Sequence, residues 1–115
     1  MNNPLSNHDR RADPRETVNQ RARVFYGPSR TMWADGQIVD LSTSGAKLMV
    51  PGLYPLSPRF LVLQIRGGVV FDVRLKWRRG DLAGLAIEGR REIEGSTDQD
   101  LIDLAPTWRA LADIS

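Results

Sequence analysis

The sequence predicts a mainly β fold, in which six antiparallel strands form a small barrel or sandwich and a C-terminal α-helix follows. Three observations lead to this fold class. Apolar and polar residues alternate along positions 69–78, and turn-forming residues recur about every 8–12 positions. The third observation is the helical spacing of Leu101, Leu104, Trp108 and Leu111.

The first fifteen residues precede the predicted sheet. Residues 1–9 are polar and are expected to form a disordered leader. Residues 10–15 are predicted to form a loop, because Pro14 disfavours helix at Asp13. The predicted strands then span residues 16–26, 36–42, 45–50, 59–65, 69–78 and 82–88. Turns at 27–30, 66–68 and 79–81 and a proline-rich loop at 51–58 separate them.

The fifth strand shows the clearest alternation, which is typical of a sheet that is buried on one side only. One face carries Val69, Phe71, Val73, Leu75 and Trp77, and the other carries Val70, Asp72, Arg74, Lys76 and Arg78. In the sixth strand, Gly84 indicates a bulge or a close approach of another group.

The tail, residues 96–115, is predicted to be helical and to follow a barrel domain at 10–95. Ser96 and Gln99 have the spacing of a capping box. Pro106 predicts either one kinked helix or two short ones. The apolar stripe packs on the domain or closes one end of the barrel, or else forms a surface for a partner.

Several classes of site are excluded by composition. The chain has no Cys, and its one His, His8, lies in the leader, so a thiolate zinc site or a nucleophile–base pair is not expected. Phosphate-loop and dinucleotide-binding glycine patterns are absent. No apolar run reaches the length of a membrane span. We expect a soluble, cytoplasmic protein that is not an enzyme and has no metal or cofactor.

The basic residues are mostly arginine, since fourteen of the sixteen are Arg and two are Lys. Charge is also unevenly distributed: residues 1–30 carry a net +3, residues 31–91 a net +4 and residues 92–115 a net −5. Guanidinium groups bind phosphate bidentately and stack on flat rings. The excess is therefore consistent either with phosphate recognition or with a compositional bias of the genome.

Two short motifs are candidate binding elements. Arg10, Arg11 and Arg15 can converge on one anion, although a solvated basic run has the same appearance. The second motif, DLSTSG, runs from Asp40 to Gly45 between two predicted strands. Its carboxylate can accept N–H groups of a guanine edge, and Gly45 permits a positive φ or a close approach. The same residues also suit a plain turn.

Taken together, RxxxR in a loop before the first strand and DxSxxG about 25 residues later resemble the PilZ domain family. The resemblance covers roughly residues 9–90, including GAKL after the second motif and VRLKWRRGDLAGLAI at 73–87. It implies a PilZ-type, split-barrel-like six-stranded barrel. It also implies binding of cyclic di-GMP, a bacterial second messenger with two phosphates and two guanines.

The resemblance also implies residue roles. Arg11 and Arg15 would contact phosphate and the guanine O6/N7 edge, with Arg10 as an auxiliary, while Asp40 and Ser42 would hold a guanine edge and a nearby phosphate. Gly45 would shape the turn. Trp77 resembles an aromatic residue that stacks on guanine, but its phase is also that of the core, and Arg78 and Arg79 could flank the ligand. Two departures are Ile87, where an aromatic is common, and Asp13 between the two ligand arginines.

The expected function is that of a stand-alone receptor in which cyclic di-GMP orders the arginine loop onto the Asp40–Gly45 turn. That ordering would reposition the leader or the C-terminal helix and change the surface offered to a downstream protein partner. One alternative is a PilZ-like protein-interaction module that binds no nucleotide. Another is a small barrel for single-stranded nucleic acid, although only Trp77 is interleaved with the basic residues.

Overall fold

Six antiparallel strands close into one barrel in the computed structural model, which describes residues 16–114. The elements are β1 (Glu16–Tyr26), β2 (Met32–Leu41), β3 (Gly45–Met49), β4 (Arg59–Gln64), β5 (Val69–Arg79), β6 (Leu82–Glu92) and α1 (Gln99–Ile114). Around the barrel the order is β1-β2-β3-β6-β5-β4. The mainly β barrel with a C-terminal helix predicted from the sequence is therefore confirmed.

Two strands are longer than the sequence predicts. β2 begins at Met32 rather than at position 36, because a short 3-10 turn at Pro28–Arg30 lets Tyr26 pair directly with Met32. β6 continues to Glu92 rather than ending at position 88, since Val69 at the start of β5 supplies its partner. In both cases a neighbouring strand extends a segment whose own pattern is weak.

The interior of the barrel is an apolar core. Its fully buried members include Val24, Ile38, Leu48, Phe60 and Val62, one or two from each of four strands. These residues alternate with outward-facing ones, as in a strand with one buried face. The alternation is interrupted in β4, where four consecutive residues are buried, and at the start of β5, where three are.

A second apolar cluster explains the burial on both faces of β4. Leu61 and Leu63 point away from the barrel interior and pack against α1, together with Val70 and the fully buried Leu101. The alternation in β5 predicted that Val70 would lie on the solvent-exposed face. The residue is instead buried, because the helix covers it. The helical stripe packs on the side of the barrel.

One continuous helix spans residues 99–114 with Pro106 inside it, so of the two arrangements suggested by Pro106 the pair of short helices is excluded. Pro106 has no N–H to donate to the carbonyl of Ile102, one turn earlier in the helix. Both residues are exposed, so water can donate to that carbonyl instead. At the helix start, the Ser96 hydroxyl accepts from the Asp98 N–H at 3.1 Å rather than forming the expected capping box with Gln99. None of the described helices is long and apolar enough to cross a membrane.

Arg91 fastens the start of α1 to the sheet. Its guanidinium lies 2.9 Å from a carboxylate oxygen of Asp72 on β5, and 3.4 and 3.0 Å from carboxylate oxygens of Asp98 and Asp100. This cluster joins the last strand to the helix that follows it.

Candidate functional site

The turn between β2 and β3 is closed by two residues of the DLSTSG motif, Ser42 and Gly45. The Ser42 N–H donates to the Gly45 carbonyl at 2.8 Å, and the Gly45 N–H donates to the Ser42 hydroxyl at 3.1 Å. The Ser42 hydroxyl also donates to the Gly45 carbonyl at 3.2 Å. Positive φ among the described glycines occurs at other positions, so Gly45 does not serve through a left-handed conformation.

Asp40 faces outward because of a β-bulge. Ile38 pairs with Leu48 and points into the core, whereas Asp40 pairs with Lys47, so Val39 is an extra residue in the ladder. Strict alternation from Ile38 would turn Asp40 into the barrel, and the bulge reverses that phase. Its carboxylate lies 3.9 Å from the Lys47 ammonium group.

A second bulge places Trp77 on the same outer face. Leu75 pairs with Leu85 in the core, and Trp77 pairs with Gly84, which leaves Lys76 as the extra residue. The indole lies over Gly84: a Cβ atom at position 84 would be only 2.2 Å from the indole Nε1 and 2.3 Å from Cε2. The alternation that put Trp77 with the core residues was wrong, and the close approach predicted at Gly84 is present.

The two bulges bring four residues into one row across four neighbouring strands. Asp40 on β2 pairs with Lys47 on β3, Lys47 with Gly84 on β6, and Gly84 with Trp77 on β5. From a strand spacing of about 4.8 Å, Cα atoms are about 10 Å apart from Lys47 to Trp77 and about 14 Å from Asp40 to Trp77. We call these four residues the outer row.

The bulge at Lys76 also separates the two arginines that follow Trp77, so that only Arg79 remains beside the outer row. Arg78 pairs with the core residue Ala83, and its guanidinium donates to four backbone carbonyls, at Val50, Pro51, Tyr54 and Gly80. It therefore holds the 50–58 loop instead of flanking a ligand. Arg79 stays beside the outer row, with its guanidinium carbon 5.4 Å from the centroid of the Trp77 ring.

Next to the row, Arg59 and Arg74 share the carboxylate of Glu88, at 3.0 and 3.4 Å. The hydrogen bond from Arg59 is the main cause that holds the pKa of Glu88 below its usual range. Lys47 differs from these two arginines, since its ion-pair partner, Asp40, is itself a candidate ligand-binding residue.

The arginine motif, Arg10, Arg11 and Arg15, lies outside the described residues. What the structure describes is the point where that segment enters the barrel. Glu16, the first residue of β1, pairs with Leu41, and Thr17 pairs with Asp40. The chain that follows the arginine motif therefore begins its strand opposite the DLSTSG turn.

The family model of the PilZ domain matches residues 9–104 of the 115-residue chain. The chain belongs to the PilZ domain family. PilZ domains are a known family of cyclic di-GMP receptors and are in general binding modules without catalytic activity. No curated protein matches the chain.

For this PilZ domain, the sequence pointed to two members of the outer row, Asp40 through the DLSTSG motif and Trp77 through the family resemblance. Lys47 was missed as a site residue, because only the β2–β3 register shows that it lies between them. Within the described part of the chain, no group of acidic or histidine side chains is arranged to hold a metal ion.

Proposed function

We propose that this PilZ domain is a receptor for cyclic di-GMP, that it has no catalytic activity of its own, and that it passes the signal to a downstream protein. The observation that carries the proposal is the pairing of Glu16 with Leu41. In the sequence, Arg15 directly precedes Glu16 and Arg11 precedes it by five positions. We infer that both arginines bind the ligand at the turn that carries Asp40 and Ser42.

The chemistry of the outer row supports the same ligand. Asp40 presents a carboxylate that accepts hydrogen bonds, as a guanine N1–H and N2–H edge requires. Trp77 lies about three strands away, where its ring can stack on a second guanine. A cyclic dinucleotide has two guanines, which suit the acceptor and the aromatic surface at the ends of the row, and two phosphates, which suit the guanidinium groups of the arginine motif.

Strand β1 offers a route by which ligand binding reaches the helix. Thr17 pairs with Asp40 at the site, and Arg21, four residues on, donates to the Leu111 carbonyl of α1 at 3.3 Å. Residues 18–21 also border a cavity of about 680 Å³ that Trp108 and the 65–67 turn complete. We propose that ordering of the arginine loop shifts the start of β1 and, through Arg21, the C-terminal half of α1.

Isothermal titration calorimetry with cyclic di-GMP tests the binding step. Arg15→Ala should weaken binding by at least about tenfold, the equivalent of one charge-assisted hydrogen bond. Arg109→Ala, on α1, removes the same charge away from the outer row and should bind as the wild type does. Equal affinity of the Arg15→Ala protein and the wild type, or no binding by either, contradicts the proposal.

Hydrogen exchange tests the route to the helix. Adding cyclic di-GMP should change the exchange of α1 amides in the wild type, and Arg21→Met should abolish that change while leaving nucleotide affinity the same. An unchanged helix in the wild type at saturating nucleotide would show that the signal does not travel through β1.

The single-stranded nucleic acid alternative finds less support. It needs basic and aromatic side chains interleaved on one face, but Arg78 is turned to backbone carbonyls and Arg74 is paired with Glu88. Titration with a long oligonucleotide, in parallel with cyclic di-GMP, separates the two functions directly.

A further inference from the structure

Lys47 lies inside the outer row, between its acidic and aromatic ends. On one side its ammonium group is 3.9 Å from Asp40. On the other side its strand neighbour is Gly84, over which the indole of Trp77 lies. A cation thus stands in the part of the row that a ligand spanning from Asp40 to Trp77 must cross.

The ion pair with Asp40 does not by itself account for this arrangement. At 3.9 Å it is longer than a hydrogen bond, and the two side chains are unequally exposed, Lys47 by 44% and Asp40 by 18%. An ion pair at this distance with an exposed cation contributes little to folding. An ammonium group also has three donors, so an approach to Asp40 leaves it able to bind another acceptor.

Charge balance gives Lys47 a role once a nucleotide is bound. A phosphodiester that lies near Asp40 is repelled by the carboxylate unless a cation stands between the two. Of the nearby arginines, Arg59 and Arg74 are engaged with Glu88, and Arg79 lies over the Trp77 ring at the other end of the row from Asp40. Lys47 is the residue of the outer row that can supply the positive charge.

We propose that Lys47 is a further ligand-binding residue, whose ammonium group donates a hydrogen bond to a phosphodiester oxygen of the nucleotide between Asp40 and Trp77. This inference rests on the proposed function, since it names an additional contact in the same site. As a compact point charge, Lys47 neutralises the phosphate without requiring the fixed geometry of a guanidinium group.

Titration calorimetry with cyclic di-GMP on three variants tests the contact. Lys47→Met keeps the length of the side chain and removes its charge, and should raise the Kd about tenfold, the lower end of what a charged hydrogen bond contributes. Lys47→Arg should restore binding to within about threefold of the wild type, because the charge returns. Arg109→Met removes one charge from α1 and should leave the Kd unchanged.

Salt dependence and a double-mutant cycle separate direct contact from an effect exerted through Asp40. If Lys47 binds phosphate, the Kd of Lys47→Met should rise less steeply with salt than that of the wild type. The loss caused by Lys47→Met should also persist in an Asp40→Asn background. A loss that disappears in that background means that Lys47 only positions Asp40, and overturns the inference.

The outcomes also distinguish this inference from the proposed function. Tight binding by the wild type and equally tight binding by Lys47→Met overturns the role of Lys47 and leaves the receptor function standing. No binding by the wild type overturns both.

Discussion

Gly84 is the position at which a single added methyl group tests the geometry of the outer row. In Gly84→Ala, the new Cβ would lie 2.2 Å from the indole Nε1 of Trp77, whereas ordinary van der Waals contact begins near 3.4 Å. The indole must therefore retreat by about 1.2 Å. Because Trp77 is half-buried and belongs to neither apolar cluster, it can do so without disturbing the barrel interior.

The expected cost falls on binding more than on folding. Stacking of a base on an aromatic side chain is worth about 1–3 kcal/mol, so displacement of the indole should raise the Kd for cyclic di-GMP about 5- to 150-fold. The free energy of unfolding should fall by only about 1 kcal/mol, the lower end of overpacking costs, because the ring moves toward solvent.

Calorimetry and NMR together measure both consequences. The indole N–H resonance of Trp77 should shift in Gly84→Ala, and its Kd should approach that of Trp77→Ala. Gly89→Ala is the matched control on the same strand, since its Cβ would meet an Asp72 carboxylate oxygen at 3.1 Å and not the indole. Wild-type affinity in Gly84→Ala despite a shifted indole resonance would refute the stacking role, and an unshifted resonance would refute the packing of Trp77 on Gly84.

Three further predictions concern the turn, the loop and one carboxylate. Ser42→Ala removes both hydroxyl hydrogen bonds to Gly45, and should cost about 1 kcal/mol and lower the melting temperature by about 4–8 °C; an unchanged melting curve would contradict this. Arg78→Met removes the donor from four backbone carbonyls. It should lower the free energy of unfolding, measured in urea, by at least about 2 kcal/mol without changing the affinity for cyclic di-GMP. The hydrogen bond from Arg59 is the main cause that lowers the pKa of Glu88 in the folded protein. The ionised Glu88 therefore stabilises the fold at a pH above the ordinary glutamate pKa, and this stabilisation is lost as the pH falls through the lowered pKa of the folded state. Arg59→Met should raise the pKa of Glu88 in a carboxyl NMR titration, and an unaltered titration would show that the pair does not form in solution.

Local patterns were sufficient for much of the fold. The alternation in β5 and the turn residues at 66–68 and 79–81 predicted both hairpins of the second half of the barrel, and both are present. The spacing from Leu101 to Leu111 predicted the helix. In each case the signal lies within a few neighbouring residues, where backbone preference and side-chain period act together.

The same patterns failed where a contact was supplied from a distant part of the chain. Val70 occupies a polar phase of β5, yet it is buried because α1 packs over it. Arg78 also follows the polar phase, but an extra residue at Lys76 turns it toward the end of the barrel and the carbonyls of the 50–58 loop. A side-chain period of two residues cannot reveal a bulge, because one inserted residue reverses every later assignment in the strand.

The sequence alone determined the family and the six strands, apart from the extensions of β2 and β6, because the motif residues and the turn residues are local features of the chain. Only the tertiary structure decided which way Asp40 and Trp77 face. Bulges at Val39 and Lys76 turn both side chains from the barrel interior to its surface, and the strand register then sets Lys47 between them. The physical reason is that a bulge is defined by the pairing of two strands, so its effect on side-chain direction appears only when the sheet is assembled.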